Sequence, residues 1–384
     1  MNFKQNYTLR KPSGPSLVGG TLLCYEYQPA QADSGTRLLP CLCLYPAGQT
    51  GGARQKDYAH EEVHPGTGTI VSNTWLDAPV AEGKHPLLLF SHGFGLFHEA
   101  NTVQLEELAS HGYIVLCIGH QGEGSYELPG GEILKPDMEQ LMKDYQADAK
   151  GMERFPEYAA WLAGDGRSAS LAEYRCFYHQ MIELQPGLTA QSARWIEDSL
   201  AALDRLLHDP GKDGRLLAQH IDTGKIGAFG MSFGGSTALG LTQASDLIQA
   251  GANLDGFYYN TNWQKPLHKP VLLLQNDAGL FLDFPYANAE GDAYLATFRN
   301  STHANFADYN EILAENYIAK GEYQGQEMEQ AMLGSIDPGR MEDLLNLLLL
   351  DFFNKYLRGE ESKAVDREVL PEEVKLVRRG SIRQ

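Results

Sequence analysis

Short apolar runs separated by segments of helical pattern dominate the distribution of hydrophobic positions along this chain. Residues 86–90 and 113–118 are almost continuously apolar, and residues 102–111 between them have a helical pattern. Further strand-like runs follow at residues 226–229, 252–254 and 270–274. Strands that are apolar on both faces are typical of a parallel sheet covered by helices. The alternation therefore predicts a mostly parallel, doubly wound α/β sheet with helices on both faces.

The flanking sequence sets the limits of this predicted domain. Residues 1–20 are polar and rich in Gly and Pro, which predicts a loose N-terminal arm. Residues 361–384 predict a polar C-terminal tail, so that one α/β domain is expected over residues 21–360. Two early strands and a polar loop are expected at residues 21–27, 39–45 and 46–66, respectively.

One long segment, residues 130–192, interrupts the alternation of strands and helices. It contains short stretches of helical pattern at residues 138–145 and 168–183. Because an insertion of this length is usually a lid or otherwise functional, we predict an inserted cap, the alternative being a surface excursion without a role. The amphipathic segments 193–208 and 340–357 predict helices that pack on the core.

Charge and cysteine content restrict the classes of partner. The 384 residues carry a formal net charge of −19, which disfavours binding to nucleic acid or to an anionic membrane surface. The longest apolar stretch, residues 345–353, is too short to cross a bilayer, so no stable membrane insertion is expected. Five cysteines without a C-x-x-C pair, and an N-terminus without a signal-peptide pattern, predict reduced thiols, no metal site and a cytoplasmic location.

The pentapeptide Gly230-Met231-Ser232-Phe233-Gly234 is the most informative motif in the chain. It lies between a strand-like run and a helix-like run, and strand, G-x-S-x-G, helix is the nucleophile elbow of an α/β-hydrolase. The glycines allow a turn too sharp for a Cβ, which exposes the Ser232 hydroxyl. The following helix directs its positive end at the site where an oxyanion would form. Ser232 is therefore the predicted nucleophile.

A serine hydrolase also needs a base and an acid that orients it, in the order Ser, Asp or Glu, His. Downstream of Ser232 only His268 and His303 are available. His268 precedes a strand, at the wrong edge of the sheet, whereas His303 lies in a polar loop after a late strand and is the predicted base. Asp255 and Asp277 follow successive strands, and position alone slightly favours Asp277 as the acid.

Backbone amides and aromatic side chains complete the predicted site. We expect the oxyanion hole to combine the N–H of Phe233 with that of Phe94, in the glycine-containing loop after residues 86–90. His92 in that loop is expected to be structural. The aromatic loop after Asp255, including Tyr258 and Trp263, is expected to wall the acyl pocket together with Phe97, the alternative being that these rings only pack the loop on the sheet.

Five segments together resemble the platelet-activating-factor acetylhydrolase family, which includes lipoprotein-associated phospholipase A2. They are residues 89–95, 109–115, 230–235, 252–256 and 301–308. The resemblance implies an α/β-hydrolase fold, Ser232 and His303 as nucleophile and base, and Phe94 and Phe233 as oxyanion residues. It also implies Asp255 rather than Asp277 as the acid. The sequence departs from the family at Met231, where the family usually has histidine, and at His120-Gln121-Gly122, where it usually has His-Arg-Asp.

These observations together predict a serine hydrolase that cleaves a small carboxylic ester through an acyl-enzyme, without metal or organic cofactor. Bulky rings near Ser232 would favour short acyl chains, and the family hydrolyses short or oxidised acyl esters of phospholipids. An amidase or peptidase on the same fold remains an alternative. A relative that binds a ligand without catalysis is a third, although such relatives usually lack a triad member.

Overall fold

A computed structural model describes residues 7–30, 35–59, 70–164, 166, 169–279, 282–313, 332–367 and 370–379. The strands are β1 (Tyr7–Thr8), β2 (Leu17–Tyr27), β3 (Arg37–Ala47), β4 (Arg54–Ala59), β5 (Ile70–Leu76), β6 (His85–Ser91), β7 (Ile114–Ile118), β8 (Tyr126–Glu127), β9 (Ile133–Leu134), β10 (Ile221–Met231), β11 (Ile248–Leu254), β12 (Val271–Gln275), β13 (Ala293–Phe298) and β14 (Val374–Arg379). The helices are α1 (Thr102–Ser110), α2 (Met138–Ala147), α3 (Ala149–Met152), α4 (Phe155–Ala163), α5 (Leu171–Glu183), α6 (Pro186–His208), α7 (Gly211–Ala218), α8 (Phe233–Ala244), α9 (Asp283–Ala287), α10 (Tyr309–Leu313) and α11 (Pro338–Phe353).

Twelve strands of the described residues form one sheet, in the order β1-β5-β2-β3-β7-β6-β10-β11-β12-β13-β14 with β4 paired to β5. The six strands from β7 to β13 in this order are parallel to their neighbours, whereas β3 pairs antiparallel with β7 and β14 pairs antiparallel with β13. The predicted doubly wound, mostly parallel sheet is confirmed. Its parallel centre brings the carboxyl ends of β6, β10 and β11 side by side.

Alternate side chains of the central strands bury into two separate layers. On one face, Leu88 and Phe90 of β6 pack with helices α1 and α11. On the other face, Leu87 and Leu89 of the same strand pack with helices α6 and α8. This two-sided burial is the reason that the strands read as continuous apolar runs rather than as alternating ones.

The sheet extends further at both ends than the sequence predicted. Residues 17–20, expected in a loose arm, begin β2 and pair with β3, and residues 18–20 also pair with β5. The predicted polar loop contains β4, which pairs antiparallel with β5, although residues 60–66 lie outside the described part. The expected polar tail forms edge strand β14, where cross-strand hydrogen bonds to β13 stabilise a charged sequence. These three expectations were wrong for the residues described.

The 130–192 segment folds into β9, α2 to α5 and the start of α6. It packs on the loop that follows β11: Tyr178 stacks on Phe257 with ring centroids 4.7 Å apart and donates a hydrogen bond to the Tyr258 carbonyl oxygen at 2.8 Å. The predicted helix at 193–208 begins earlier, at Pro186, where the Asp148 carboxylate accepts the Leu188 N–H at 2.6 Å. No described helix has the length and apolar character needed to cross a bilayer.

A buried ion pair joins α6 to the sheet. The carboxylate of Asp198 accepts two hydrogen bonds from the Arg37 guanidinium, at 2.9 and 2.8 Å, and one from Nδ1 of His120 at 3.0 Å. Burial acts to raise the pKa of Asp198, but the hydrogen bonds from His120 and Arg37 lower it from 3.8 to about 2. The pair therefore contributes stability above a pH of about 4, and this contribution is lost as the pH falls toward 2.

Replacement of this carboxylate should destabilise the fold. Asp198→Asn leaves the Arg37 cation without its counter-charge, and we expect the free energy of unfolding to fall by about 3 kcal/mol in urea titrations at pH 7. Asp204→Asn, on the exposed side of the same helix, is the matched control, and its loss should stay below about 0.5 kcal/mol. Equal losses of stability in the two variants would contradict the stabilising role of the buried Asp198–Arg37 ion pair.

Candidate active site

The turn between β10 and α8 holds Ser232 in a strained backbone conformation. Its φ of 54° and ψ of −119° lie outside the regions that ordinary residues occupy. Such strain persists only where the surrounding structure imposes it. Here the imposing contacts are backbone to backbone, because a Cβ on Gly234 would lie 1.9 Å from the Ser91 carbonyl oxygen, and one on Gly256 would lie 1.8 Å from that of Ser232. The predicted sharp turn is present.

Three side chains from separate loops meet at this turn. Nε2 of His303 lies 3.0 Å from the Ser232 hydroxyl, and Nδ1 of His303 lies 2.6 Å from Oδ2 of Asp255. Asp255 is fully buried, whereas the His303 side chain is about half exposed, so the pair opens toward solvent on the imidazole side. The structure therefore brings together the three residues that the family resemblance implied.

Asp277, the acid that position alone favoured, has a different partner. Its exposed carboxylate accepts the backbone N–H of Asn300 at 3.0 Å and so links the loop after β12 to the turn after β13. His268 lies on the surface beside Glu290, with 3.3 Å between Nδ1 and Oε2. Neither residue is among the described hydrogen-bond partners of Ser232 or His303.

Hydrogen bonds to neighbouring elements fix the loop that carries His303. Asp308 accepts the N–H groups of Thr102 and Val103, at 2.5 and 3.1 Å, and so caps the N-terminus of α1. Asn101 donates to the Phe306 carbonyl oxygen at 2.6 Å. The Asp308 carboxylate and the Phe306 carbonyl oxygen thus attach the 301–308 segment to the start of α1.

The two predicted oxyanion residues flank Ser232 from different loops. Phe233 begins α8, and the rings of Phe94 and Phe233 meet edge to face with centroids 6.0 Å apart. Within the described residues, neither of these two backbone amides donates a hydrogen bond to a protein acceptor. The first loop lies close to the serine, since a Cβ on Gly93 would be 3.4 Å from Cβ of Ser232. Both amides thus remain available beside the serine.

His92 has the structural role that the sequence suggested. Its Nδ1 lies 2.7 Å from the Gly93 carbonyl oxygen and its Nε2 lies 2.7 Å from the Tyr126 hydroxyl. Complete burial, reinforced by the nearby His120, lowers the pKa of His92 to about 3, so the ring is neutral at physiological pH. Both ring nitrogens are occupied in shaping the loop before Phe94.

A cavity of about 380 Å³ opens at the serine. Its described lining comes from the β6 loop, the turn after β10 and the segment after β13: Gly93, Phe94, Leu96, Met231, Ser232, Thr302, His303, Ala304, Tyr309 and Met332. Sequence reasoning missed Leu96, Tyr309 and Met332, for which the sequence carries no clear signal. Within the described residues, no cluster of His, Cys, Asp and Glu could hold a metal ion.

The three aromatic residues predicted to wall the pocket lie elsewhere. Tyr258 is buried and donates to the Gln243 side-chain oxygen at 2.8 Å. Trp263 is buried against Phe284, and Phe97 packs on Tyr58. The helices of residues 130–192 cover Tyr258 and Trp263, so these two rings contribute to core packing, and none of the three residues is in the described lining of the cavity at Ser232.

Fold and site together define an α/β-hydrolase. The structure superposes on a ferulic acid esterase from Streptomyces cinnamoneus with a TM-score of 0.74 and 22% identity, covering 96% of this chain and 99% of that one. At this identity the likeness establishes the fold, and the predicted α/β-hydrolase architecture is confirmed.

The resemblance to platelet-activating-factor acetylhydrolases is also confirmed. The family model described as platelet-activating factor acetylhydrolase, isoform II, matches residues 63–127. Platelet-activating factor acetylhydrolases from Gallus gallus and Canis lupus familiaris are 23% and 25% identical over 71% and 76% of this chain. The chain spans about three fifths of the length of these relatives, 62% and 61%, respectively.

Proposed function

We propose that this protein is a serine hydrolase that cleaves small carboxylic esters. The observation that carries the proposal is the continuous hydrogen-bonded path from the Ser232 hydroxyl through His303 to the buried Asp255, at 3.0 and 2.6 Å. A nucleophile, a base and an orienting acid in this order are what acyl transfer requires. The strained turn that exposes Ser232 is the second supporting feature.

The geometry suggests the roles of the three side chains. Nε2 of His303 accepts the Ser232 proton as the hydroxyl oxygen attacks the ester carbonyl, and the tetrahedral intermediate collapses when His303 returns the proton to the leaving alcohol. Water then attacks the acyl-enzyme in the same way and releases the acid and free Ser232. Asp255 accepts a hydrogen bond from the Nδ1–H of His303, which holds the tautomer in which Nε2 is unprotonated and can act as the base.

The developing oxyanion would be held by the N–H groups of Phe94 and Phe233. Both lie beside Ser232, and Phe233 stands at the positive end of α8. Because these donors are fixed by backbone, no reorganisation accompanies the reaction. The chemistry as proposed uses groups of the chain alone and needs no metal ion or organic cofactor.

The comparisons support an ester as the substrate class. The curated relatives are named acetylhydrolases and the solved structure is a ferulic acid esterase. These names agree on hydrolysis of an acyl group from oxygen but differ in the acyl part. We therefore propose the reaction class from the site, and the acyl size from the cavity.

Ser232 should be the residue that a fluorophosphonate modifies. Ser232→Ala should lose the adduct and lower kcat for p-nitrophenyl acetate by roughly 10⁴-fold or more, because the nucleophile acts as a unit with its base. Peptide mass spectrometry locates the adduct. Attachment to another serine would exclude this turn as the site of chemistry.

The two aspartates should differ sharply in their effect on turnover. Asp255→Asn leaves His303 in the wrong tautomer, so kcat should fall by about 10⁴-fold. Asp277→Asn is the matched control, because its carboxylate only accepts the Asn300 N–H on the surface. The opposite ranking of the two variants in steady-state kinetics would refute Asp255 as the acid.

Acyl chain length should be limited by the cavity. Each methylene that still fits adds at most about 0.8 kcal/mol of burial, whereas a clash costs more. Acetyl to butyryl esters should therefore exceed dodecanoyl esters in kcat/KM. Leu96→Ala, which removes part of the wall, should raise the relative rate on longer chains.

The control for this variant is Leu347→Ala, at an exposed position of α11. It should leave the chain-length profile unchanged. A wild-type preference for long-chain esters that rises at the micelle concentration would overturn the proposed acyl size while leaving the reaction class intact.

A further inference from the structure

The side chain of Asn276 has a fixed orientation at the end of β12. Its Oδ1 accepts the backbone N–H of Ala278 at 2.8 Å, and the side chain is buried. Because only the carbonyl oxygen can accept that N–H, the amide nitrogen Nδ2 must face the opposite way. There it lies 2.6 Å from Oδ2 of Asp255.

Asn276 donates twice to the same carboxylate. Its backbone N–H binds Oδ1 of Asp255 at 2.8 Å, while its Nδ2 binds Oδ2, the same oxygen that accepts Nδ1 of His303. Hydrogen bonds from two fixed donors favour the ionised form of a carboxylate and restrict its rotation. The plane of the Asp255 carboxylate is therefore set by Asn276 as much as by His303.

The backbone of Asp255 makes this support more important. Asp255 has a φ of 58°, in the left-handed region that a non-glycine residue rarely occupies. Its N–H donates to the Leu274 carbonyl oxygen at 2.7 Å, which ties it to β12, the strand that precedes Asn276. Both the backbone and the side chain of Asp255 are thus held from the same neighbouring strand end.

We infer that Asn276 is a positioning residue of the proposed hydrolase: its side-chain amide holds the Asp255 carboxylate in alignment with His303. The inference rests on the proposed function, since it assigns a role within that mechanism. Asn276 acts through Asp255 and does not line the described wall of the cavity. It should therefore affect turnover and its pH dependence rather than substrate binding.

The alternative role for Asn276 is purely local, because its Oδ1 also closes a turn with Ala278. Asn276→Ser separates the two roles: a serine hydroxyl can still accept an N–H two residues on, but it is too short to reach Asp255. Asn260 provides a matched control. It is buried, its Oδ1 accepts the Asn262 N–H at 2.7 Å, and its Nδ2 donates to the Tyr258 hydroxyl at 3.0 Å instead of to a carboxylate.

Asn276→Ser should lower kcat for p-nitrophenyl acetate roughly 10- to 100-fold with little change in KM. The acidic limb of the kcat/KM profile should move to higher pH. The reason is that a carboxylate without the Asn276 donor interacts more strongly with the protonated imidazole, which cannot act as the base. Asn260→Ser should change neither quantity.

A second variant distinguishes loss of the hydrogen-bond donor from a folding defect. Asn276→Asp keeps the size and the turn acceptor but replaces the donor with a carboxyl oxygen, so at pH 8 its kcat should fall at least as far as that of Asn276→Ser. Urea titration of all variants measures stability, and the rate of fluorophosphonate labelling at Ser232 reports the nucleophile without a bound ester.

The outcomes separate this inference from the proposed function. If the wild type labels at Ser232 and hydrolyses esters but Asn276→Ser keeps its kcat and acidic limb, only the positioning role is refuted. If kcat falls only in proportion to the loss of stability and the acidic limb of the kcat/KM profile does not move, the positioning role is also refuted. Asn276 would then serve only to close its turn. A wild-type chain without adduct or hydrolysis would overturn both proposals.

Discussion

Close backbone contact at the carboxyl edge of the sheet is the constraint on which the rest of the site depends. Gly234 of α8 packs on the backbone of Ser91, and Gly256 packs on that of Ser232, with no room for a Cβ at either position. Because β6, β10 and β11 are parallel neighbours, their carboxyl ends already lie side by side. Glycine at positions 234 and 256 allows the backbones of adjacent loops to come into direct contact. The loops with Phe94, Ser232 and Asp255 meet as a result.

Trp195 of α6 packs against the segments at this edge of the sheet. Its ring lies 4.8 Å from that of Phe233 and 4.9 Å from that of His92, so it contacts both segments that present the proposed oxyanion amides. His120 also stacks on the Trp195 ring, with centroids 3.9 Å apart, and is held in turn by Asp198. The buried ion pair that stabilises the fold is therefore connected, through stacked rings, to the position of the site. The same residues therefore contribute to the stability of the fold and to the alignment of the site.

Sequence could predict those parts of this structure that are determined by the pattern of neighbouring residues in the chain. Buried strands such as β6 appear as continuous apolar runs, and the turn at Ser232 has a motif because only glycine fits beside it. Edge strand β14 could not be predicted, since cross-strand pairing rather than composition stabilises its charged sequence. The direction of the Tyr258 side chain is likewise set by a contact outside its own loop, the hydrogen bond to Gln243 of α8. Asn276 has no signal of its own, because its role depends on how close two strand ends approach.

The segment after β13 contributes to both chemistry and substrate selection. Ser232 and Asp255 are held at strand ends, whereas this segment supplies the proposed base His303 together with much of the cavity wall, including Thr302, Tyr309 and Met332. The helices of residues 130–192 instead pack on the buried aromatic loop. Replacing a wall residue therefore changes the space offered to an acyl chain without moving the strand ends. Met231, where related sequences usually have histidine, is the exception: it lines the cavity and immediately precedes Ser232, so a change there acts on substrate fit and on the strained turn together.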